Sequence, residues 1–84
     1  MRRIEPTDEA ILAGIAEVAH QHLDWQGPLS PAMRLVEDLR LDSIRLLTLA
    51  AEVENRFRVS LDETEEAGIE TVGDLVEVVR RKLG

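Results

Sequence analysis

The chain has no cysteine and no tyrosine, and it contains a single phenylalanine and a single tryptophan. The absence of cysteine excludes disulfide bonds, thiolate metal sites and a cysteine nucleophile. Hydrophobic residues make up 44% of the sequence and aromatic residues only 2%, so the core must be aliphatic. An aliphatic core favours packed helices over an aromatic-rich sheet. Because the chain has 84 residues, we expect one domain spanning residues 1–84.

Long apolar runs are also absent, and basic residues are scarce. No segment is long and apolar enough to predict a signal peptide or a transmembrane helix, so we expect a cytoplasmic protein that does not insert into membranes. Ten lysines and arginines stand against 17 aspartates and glutamates, and the net charge of −7 argues against nucleic-acid binding. The charge is uneven, because residues 59–79 contain seven carboxylates and no cation, whereas residues 42–58 are neutral overall.

Four segments carry the apolar spacing and the end signals of helices. Thr7 and Thr71 are the expected caps of the first and the last helix. A glycine and two prolines interrupt the pattern within residues 24–42, which are expected to form a long loop with a short turn at Ala32. The predicted fold is all-α, a four-helix bundle with a short third helix and a long loop between helices one and two. The predicted helices span Asp8–Leu23, Ser43–Arg56, Thr64–Ala67 and Val72–Lys82.

Apolar stripes on three of these helices predict the faces that are buried. Leu35, Val36 and Leu39 are expected to anchor the long loop. Gly14 lies inside the first helix, where the missing side chain allows another helix to approach closely. The predicted stripes comprise Ile11, Ile15, Val18 and His22 in the first helix, Leu46, Leu49, Ala50, Val53 and Phe57 in the second, and Val72, Leu75, Val76, Val79 and Leu83 in the fourth.

Asp42 and Ser43 stand where the long loop meets the second helix. The first turn of a helix offers unpaired backbone N–H groups and a partial positive charge, both of which suit a phosphate group. Serine is also favoured at helix starts for capping alone, so the position by itself is compatible with either role. Asp42 is the expected N-cap residue.

The segment Leu35-Val36-Glu37-Asp38-Leu39-x-x-Asp42-Ser43-Ile44 resembles the modification site of acyl carrier proteins. Further matching segments follow in the same order along nearly the whole chain. They are Glu54-x-x-Phe57, Val59-x-Leu61 and Ile69-x-Thr71-Val72-x-Asp74-Leu75. Each segment alone is a weak signal, but their order and spacing together are specific.

The resemblance implies that Ser43 carries a 4′-phosphopantetheine arm, whose terminal thiol holds acyl groups as thioesters. A phosphopantetheinyl transferase would move this arm from coenzyme A onto Ser43, and Asp42 would help the transferase to place its metal-bound coenzyme A. The magnesium belongs to that enzyme, so we expect no metal site in this chain. Acyl-loading and acyl-processing enzymes are the other implied partners, and we expect a monomer.

This chain departs from the family pattern in two places. Family members commonly have glycine two residues before the aspartate of the motif, whereas this chain has Arg40. A positive φ angle at Arg40 would be strained, and its guanidinium is a candidate neighbour of the arm's phosphate.

Carriers of bacterial fatty acid synthesis have a strongly acidic second helix, whereas here that helix is neutral. We therefore expect a carrier for a specialised pathway, such as polyketide synthesis, rather than a general fatty acid synthase.

A second apolar stripe on the second helix comprises Ile44, Leu47 and Ala51. A small bundle can bury more than one face of a helix, and this explanation stands beside a functional one. The resemblance implies that the stripe is a docking surface for partner enzymes. Ile44 is the first candidate for docking because it adjoins Ser43.

Other functions remain open from the sequence. Within the family, the alternative is a peptidyl or aminoacyl carrier, and outside it an unmodified helical adaptor that binds through Ile44. A serine hydrolase using Ser43 with His20 or His22 lacks a nucleophile-elbow motif and room for a substrate cleft, so we predict no enzyme activity and no catalytic residue. Trp25 is expected to plug the loop against the bundle, or else to line an entrance for the acyl chain.

Overall fold

The computed structural model describes residues 7–83, which form four α-helices and no β-strand. They are α1 (Asp8–His22), α2 (Ser43–Phe57), α3 (Glu63–Ala67) and α4 (Val72–Leu83). The predicted all-α bundle with a short third helix is confirmed, and each predicted helix end lies within one residue of the observed one. The expected domain range of 1–84 extends outside the described residues at both ends.

The helices begin where capping side chains satisfy their free backbone N–H groups. Thr7 caps α1 by accepting a hydrogen bond from the N–H of Ala10 at 3.1 Å. Thr71 caps α4 by accepting a hydrogen bond from the N–H of Asp74 at 3.0 Å, and the Asp74 carboxylate accepts one back from the N–H of Thr71 at 3.1 Å. The short α3 is held by the same reciprocal arrangement between Asp62 and Glu65.

The aliphatic core lies where α1 packs against both α2 and α4. Leu49 and Val53 are the buried residues of α2, and Val78 joins the predicted stripe of α4. The buried hydrophobic residues are Ile11, Ile15, Val18, Ala19, Leu23, Leu35, Leu39, Leu41, Leu49, Val53, Leu61, Val72, Leu75, Val76, Val78 and Val79.

Several residues of the predicted stripes are less buried than their spacing indicates. Leu46 and Ala50 of α2 are only half-buried, because that flank of the helix faces an open cavity instead of another helix. Phe57, in the last turn of α2, is also half-buried and packs against the edge of the core. His22 and Leu83 are exposed because they lie in the last turns of α1 and α4, where neighbouring elements cover less of the helix.

The contact expected at Gly14 is made by an aromatic ring. A Cβ atom at Gly14 would lie 2.5 Å from the Cζ atom of Phe57, so the ring occupies the space that a side chain would need. The sole phenylalanine therefore packs over the position of the missing side chain at Gly14, and this pair is one of the contacts between α1 and α2.

The long loop between α1 and α2 is held against the start of α4. Backbone hydrogen bonds run from Leu35 N–H to the Glu70 carbonyl at 3.0 Å and from Val72 N–H to the Met33 carbonyl at 2.9 Å. Leu35 and Leu39 are buried as predicted, whereas Val36 is exposed and the prediction that it anchors the loop is wrong. The polypeptide turns at Leu35–Asp38, which points Val36 away from the core.

Two further observations concern the loop and the helices. Trp25 packs against the core, and its indole Nε1 is buried without a hydrogen-bond partner among the described residues.

Across residues 7–83, every helix is too short or too polar to cross a membrane.

Candidate attachment site

The N-terminus of α2 presents Ser43 as an exposed side chain at the first helical position. Asp42 is the N-cap, as predicted, with extended backbone angles (φ −89°, ψ −178°). Its carboxylate accepts a hydrogen bond from Arg45 N–H at 2.8 Å, and its carbonyl accepts one from Leu46 N–H at 2.8 Å. Within residues 7–83, the N–H groups of Ser43 and Ile44 have no hydrogen-bond partner, so they are available to phosphate oxygens.

Arg40 has a positive φ angle of 61°. This is the left-handed conformation that is strained for any residue other than glycine, which family members commonly have at this position. Its neighbours fix this geometry, because Leu39 N–H donates to the Arg34 carbonyl at 3.1 Å and Leu41 N–H donates to the Leu35 carbonyl at 3.2 Å. The loop thus keeps a left-handed turn before Asp42 although no glycine is present. The role of the Arg40 guanidinium toward a phosphate stays a prediction.

Large apolar side chains near the start of α2 are exposed to solvent. Ile44 is 73% exposed and Leu47 is 64% exposed, and Ala51 lies one turn further along in an exposed position. Burial of a second face of α2 is therefore not the reason for this stripe. Val36, on the preceding loop, is 57% exposed and adds a fourth apolar side chain that the sequence pattern had placed inside. We refer to Val36, Ile44, Leu47 and Ala51 as the apolar surface.

A cavity of about 330 Å³ opens beside Ser43 between α2, α3 and the start of α4. Its walls are aliphatic except for Ser43 and Glu66. The lining residues are Leu35, Ser43, Leu46, Leu47, Leu49, Ala50, Leu61, Glu66, Ile69 and Leu75. The sequence pattern does not reveal this cavity, because the stripe of α2 has the same spacing whether its residues pack on a helix or line a void. Trp25 is absent from the lining and packs against the core elsewhere.

The two acidic residues of the α2 body are both engaged in contacts within the bundle. Glu52 lies 3.4 Å from the imidazole Nε2 of His22 on α1. Glu54 accepts a hydrogen bond from Leu61 N–H at 2.7 Å and so holds the segment that supplies one wall of the cavity. The second helix therefore has no free ridge of carboxylates beside Ser43.

Two carboxylates that hold the elements around the cavity have pKa values below their ordinary range. Hydrogen bonds from the backbone N–H groups of Glu70 and Thr71 lower the pKa of Asp74, since they stabilise its ionised form. The N–H of Asp62 is the main cause of the lowered pKa of Glu65, and the Lys82 ammonium at 2.9 Å adds to it. Lys82 thereby joins α3 to the end of α4.

The described residues offer no support for a metal centre or a hydrolytic triad. Among residues 7–83, no group of three or more His, Asp or Glu side chains is placed to hold a metal ion. Both histidines are exposed, and the structure places His22 beside Glu52 without a hydrogen bond from either histidine to Ser43.

Comparison with known proteins agrees with this geometry. Residues 9–79 match the family model described as "Phosphopantetheine attachment site". The chain is 32% identical over 76 residues to the meromycolate extension acyl carrier protein of Mycobacterium leprae, with 89% of this chain and 66% of the relative covered. It therefore spans just under two thirds of that relative's length. An acyl carrier protein of an Arthrobacter species is 34% identical over 77 residues, with 87% of this chain and 91% of the relative covered.

The solved structure of an acyl carrier protein from Enterococcus faecalis superposes with a TM-score of 0.72 at 26% identity, covering 90% of this chain and 98% of the other. Family model, relatives and fold agree with one another. The chain therefore belongs to the phosphopantetheine attachment-site family of acyl carrier proteins, and its cofactor is a covalently attached 4′-phosphopantetheine.

Proposed function

We propose that Ser43 is the attachment residue and that the chain holds acyl intermediates as thioesters on the attached arm. The observation that carries this proposal is the location of Ser43. Its side chain is exposed at the N-terminus of α2, and the residue also borders the apolar cavity. The chemistry that the arm supplies is a flexible thiol, whose thioester activates both the carbonyl and the α-carbon of the acyl group. The chain's own residues position this chemistry and do not catalyse a reaction.

The residues around Ser43 have separate roles in this proposal. The Ser43 hydroxyl forms the phosphate ester, and the free N–H groups of Ser43 and Ile44 lie at the positive end of α2. Asp42 fixes the first turn of the helix through its bond to Arg45 N–H. The transferase reaches the hydroxyl without unfolding the chain, because Ser43 is exposed.

The cavity is the proposed compartment for the apolar part of the acyl chain. Its volume of about 330 Å³ lies at the lower end of the range of small-molecule pockets. Transfer of an alkyl chain from water onto its aliphatic walls is favourable by about 25 cal/mol per Å² of apolar surface buried. Held in this way, the chain would be shielded from solvent between visits to partner enzymes.

The apolar surface around Ser43 is the proposed docking site for the transferase and for acyl-loading and acyl-processing enzymes. Ile44 and Leu47, its most exposed side chains, lie in the first two turns of α2, next to the residue that carries the arm. Because Glu52 and Glu54 make contacts within the bundle, we assign the charge attraction to the acidic segment 59–79.

The neutral second helix supports a dedicated pathway rather than general fatty acid synthesis. A polyketide or related pathway is the first candidate. The 32% identity to a carrier named for meromycolate extension favours a second candidate, the extension of long-chain lipids.

The attachment proposal is tested by intact mass after incubation with coenzyme A and a broad-specificity transferase. The wild-type chain should gain one phosphopantetheine, whereas Ser43→Ala should gain nothing while keeping its helical circular dichroism spectrum. Ser60→Ala is the matched control, because Ser60 is also exposed but lies far along the chain from the helix start, and it should load normally. Loading of Ser43→Ala would contradict the assignment, and an unmodified wild-type chain would favour the adaptor alternative.

A further inference from the structure

The cavity beside Ser43 has one acidic residue in its wall, Glu66 of α3. The residue is half-buried, and within residues 7–83 no hydrogen bond or ion pair engages its carboxylate. Its neighbour Glu65 differs, because that carboxylate binds both the Asp62 N–H and the Lys82 ammonium. Glu66 is thus the carboxylate of α3 that borders the cavity without a partner.

An acyl chain that enters the cavity changes the surroundings of Glu66. A plain alkyl chain would displace water from the carboxylate and give no hydrogen bond in return, which is costly for a charged group. A chain with a hydroxyl group would donate a hydrogen bond to the carboxylate, and hydrogen bonds to charged acceptors are among the strongest. A chain that ends in a carboxylate would be repelled by the like charge.

We propose that Glu66 determines cargo specificity, favouring hydroxylated acyl chains in the cavity over plain alkyl chains of equal length and rejecting chains that end in a carboxylate. This inference rests on the proposed attachment at Ser43 and on the cavity as the acyl compartment. It names the substrate class as hydroxyacyl groups. Eight of the ten lining residues are apolar and Ser43 lies at the attachment point, so Glu66 is the wall residue that can read a polar group on the chain.

The test attaches amide-linked acyl pantetheines to the full chain. The probes are octanoyl, β-hydroxyoctanoyl, ω-hydroxyoctanoyl and ω-carboxyoctanoyl groups. Melting temperature is measured relative to the unacylated carrier, together with backbone amide chemical shifts of Leu46, Ile69 and Leu75 in the cavity wall. At least one hydroxylated chain should raise the melting temperature by about 4 °C more than octanoyl does. The carboxylated chain should leave the wall amides as they are in the unacylated carrier.

Variants of α3 assign the effect to Glu66. Glu66→Leu should reverse the order, so that octanoyl stabilises more than either hydroxylated chain. Glu66→Gln keeps an acceptor without the charge and should retain a weaker hydroxyl preference while admitting the carboxylated chain. Glu63→Leu is the matched control, because Glu63 is exposed on the same helix and does not line the cavity, and it should preserve the wild-type order.

The outcomes separate this inference from the proposals on which it rests. Equal stabilisation by octanoyl and both hydroxylated chains in the wild type, with shifted wall amides, would overturn the role of Glu66 alone. An unchanged order in Glu66→Leu would do the same. Loading at Ser43 without any shift of the wall amides would overturn the cavity as the compartment, and a failure of loading would overturn the attachment itself.

Discussion

At the scale of single residues, the site combines an unstrained serine, Ser43, with a strained arginine, Arg40. Arg40 lies two positions before Asp42, the N-cap residue of α2. Asp42 and Ser43 have the capped geometry that their residue types favour. Arg40, in contrast, has a φ of 61° where glycine would be free of strain. Two explanations fit an arginine at this position. Either its charge has a function, or the hydrogen bonds of the loop offset the free-energy cost of the strained backbone.

Replacing Arg40 with glycine should therefore stabilise the fold. Relief of the left-handed strain is worth about 1 kcal/mol, and the greater freedom of glycine in the unfolded chain removes part of this gain. We expect a net gain of about 0.5 kcal/mol, or about 2–4 °C in melting temperature. Arg40→Ala is the control, since it removes the charge but retains a Cβ atom. A gain of the same size in Arg40→Ala would assign the effect to charge instead of backbone strain.

At the scale of elements, α2 has two apolar faces with different environments. Leu49 and Val53 are buried against the bundle, whereas Ile44 and Leu47 are exposed. The helix thus contributes to stability on one face and is available to partners on the other.

A pair of leucines on this helix separates the two faces. Leu49→Ala should destabilise the protein by about 2–5 kcal/mol, because it removes buried methyl groups and enlarges the cavity that Leu49 lines. Leu47→Ala should change the free energy of unfolding by less than about 0.5 kcal/mol, as is usual for surface substitutions. Urea unfolding followed by circular dichroism measures both. A large loss in Leu47→Ala would show that this side chain is packed, and it would remove Leu47 from the apolar surface.

The start of α4 should respond to acid through Asp74. Its pKa is lowered in the folded state, so its contribution to stability is present above the ordinary aspartate pKa of about 3.9 and is lost as the pH falls through the folded value. The penalty of Asp74→Ala should accordingly be largest near neutral pH and should shrink below about pH 4. Unfolding free energies measured at several pH values provide the check.

Glu77→Ala is the control for this experiment, because Glu77 is an exposed acid on the same helix. Its effect should stay small at every pH. A penalty for Asp74→Ala that is independent of pH would mean that the side chain acts by shape alone.

At the scale of the whole molecule, negative charge is concentrated in the segment that follows α2 along the chain. The net charge is −7, yet residues 42–58 are neutral and the seven carboxylates of residues 59–79 lie beyond α2. The structure adds that Glu52 and Glu54 face contacts within the bundle. We therefore expect recognition near Ser43 to depend on apolar contact, with the acidic segment as a secondary attraction.

Transfer kinetics with the pantetheinylated protein and an acyl-loading enzyme of its pathway test this arrangement. Ile44→Asp should lower kcat/KM by about tenfold or more, the size typical of a central interface residue. Glu52→Lys should have a smaller effect. Glu54→Lys is a poorer comparison, because it breaks the bond to Leu61 N–H and disturbs the cavity wall. Severe loss in Glu52→Lys with normal transfer in Ile44→Asp would instead support docking through an acidic second helix.

The sequence alone determined the helices and the candidate serine. Caps such as Thr7, Asp42 and Thr71 act over three or four residues, so their chemistry can be read locally, and the apolar spacing identifies which side of each helix is apolar. The order of short motifs around Ser43 was likewise sufficient to predict the family, which the family model confirms.

Only the tertiary structure decided how completely each apolar face is covered. Val36 and Phe57 have the spacing of core residues, but Val36 is exposed and Phe57 is half-buried, because burial depends on which elements pack nearby. The same reason hides the cavity from the sequence, since Leu46 and Ala50 look identical whether they meet a neighbouring helix or an opening. Contacts between distant residues, such as those of Glu54 with Leu61 and of Phe57 with Gly14, arise only once the helices are placed together.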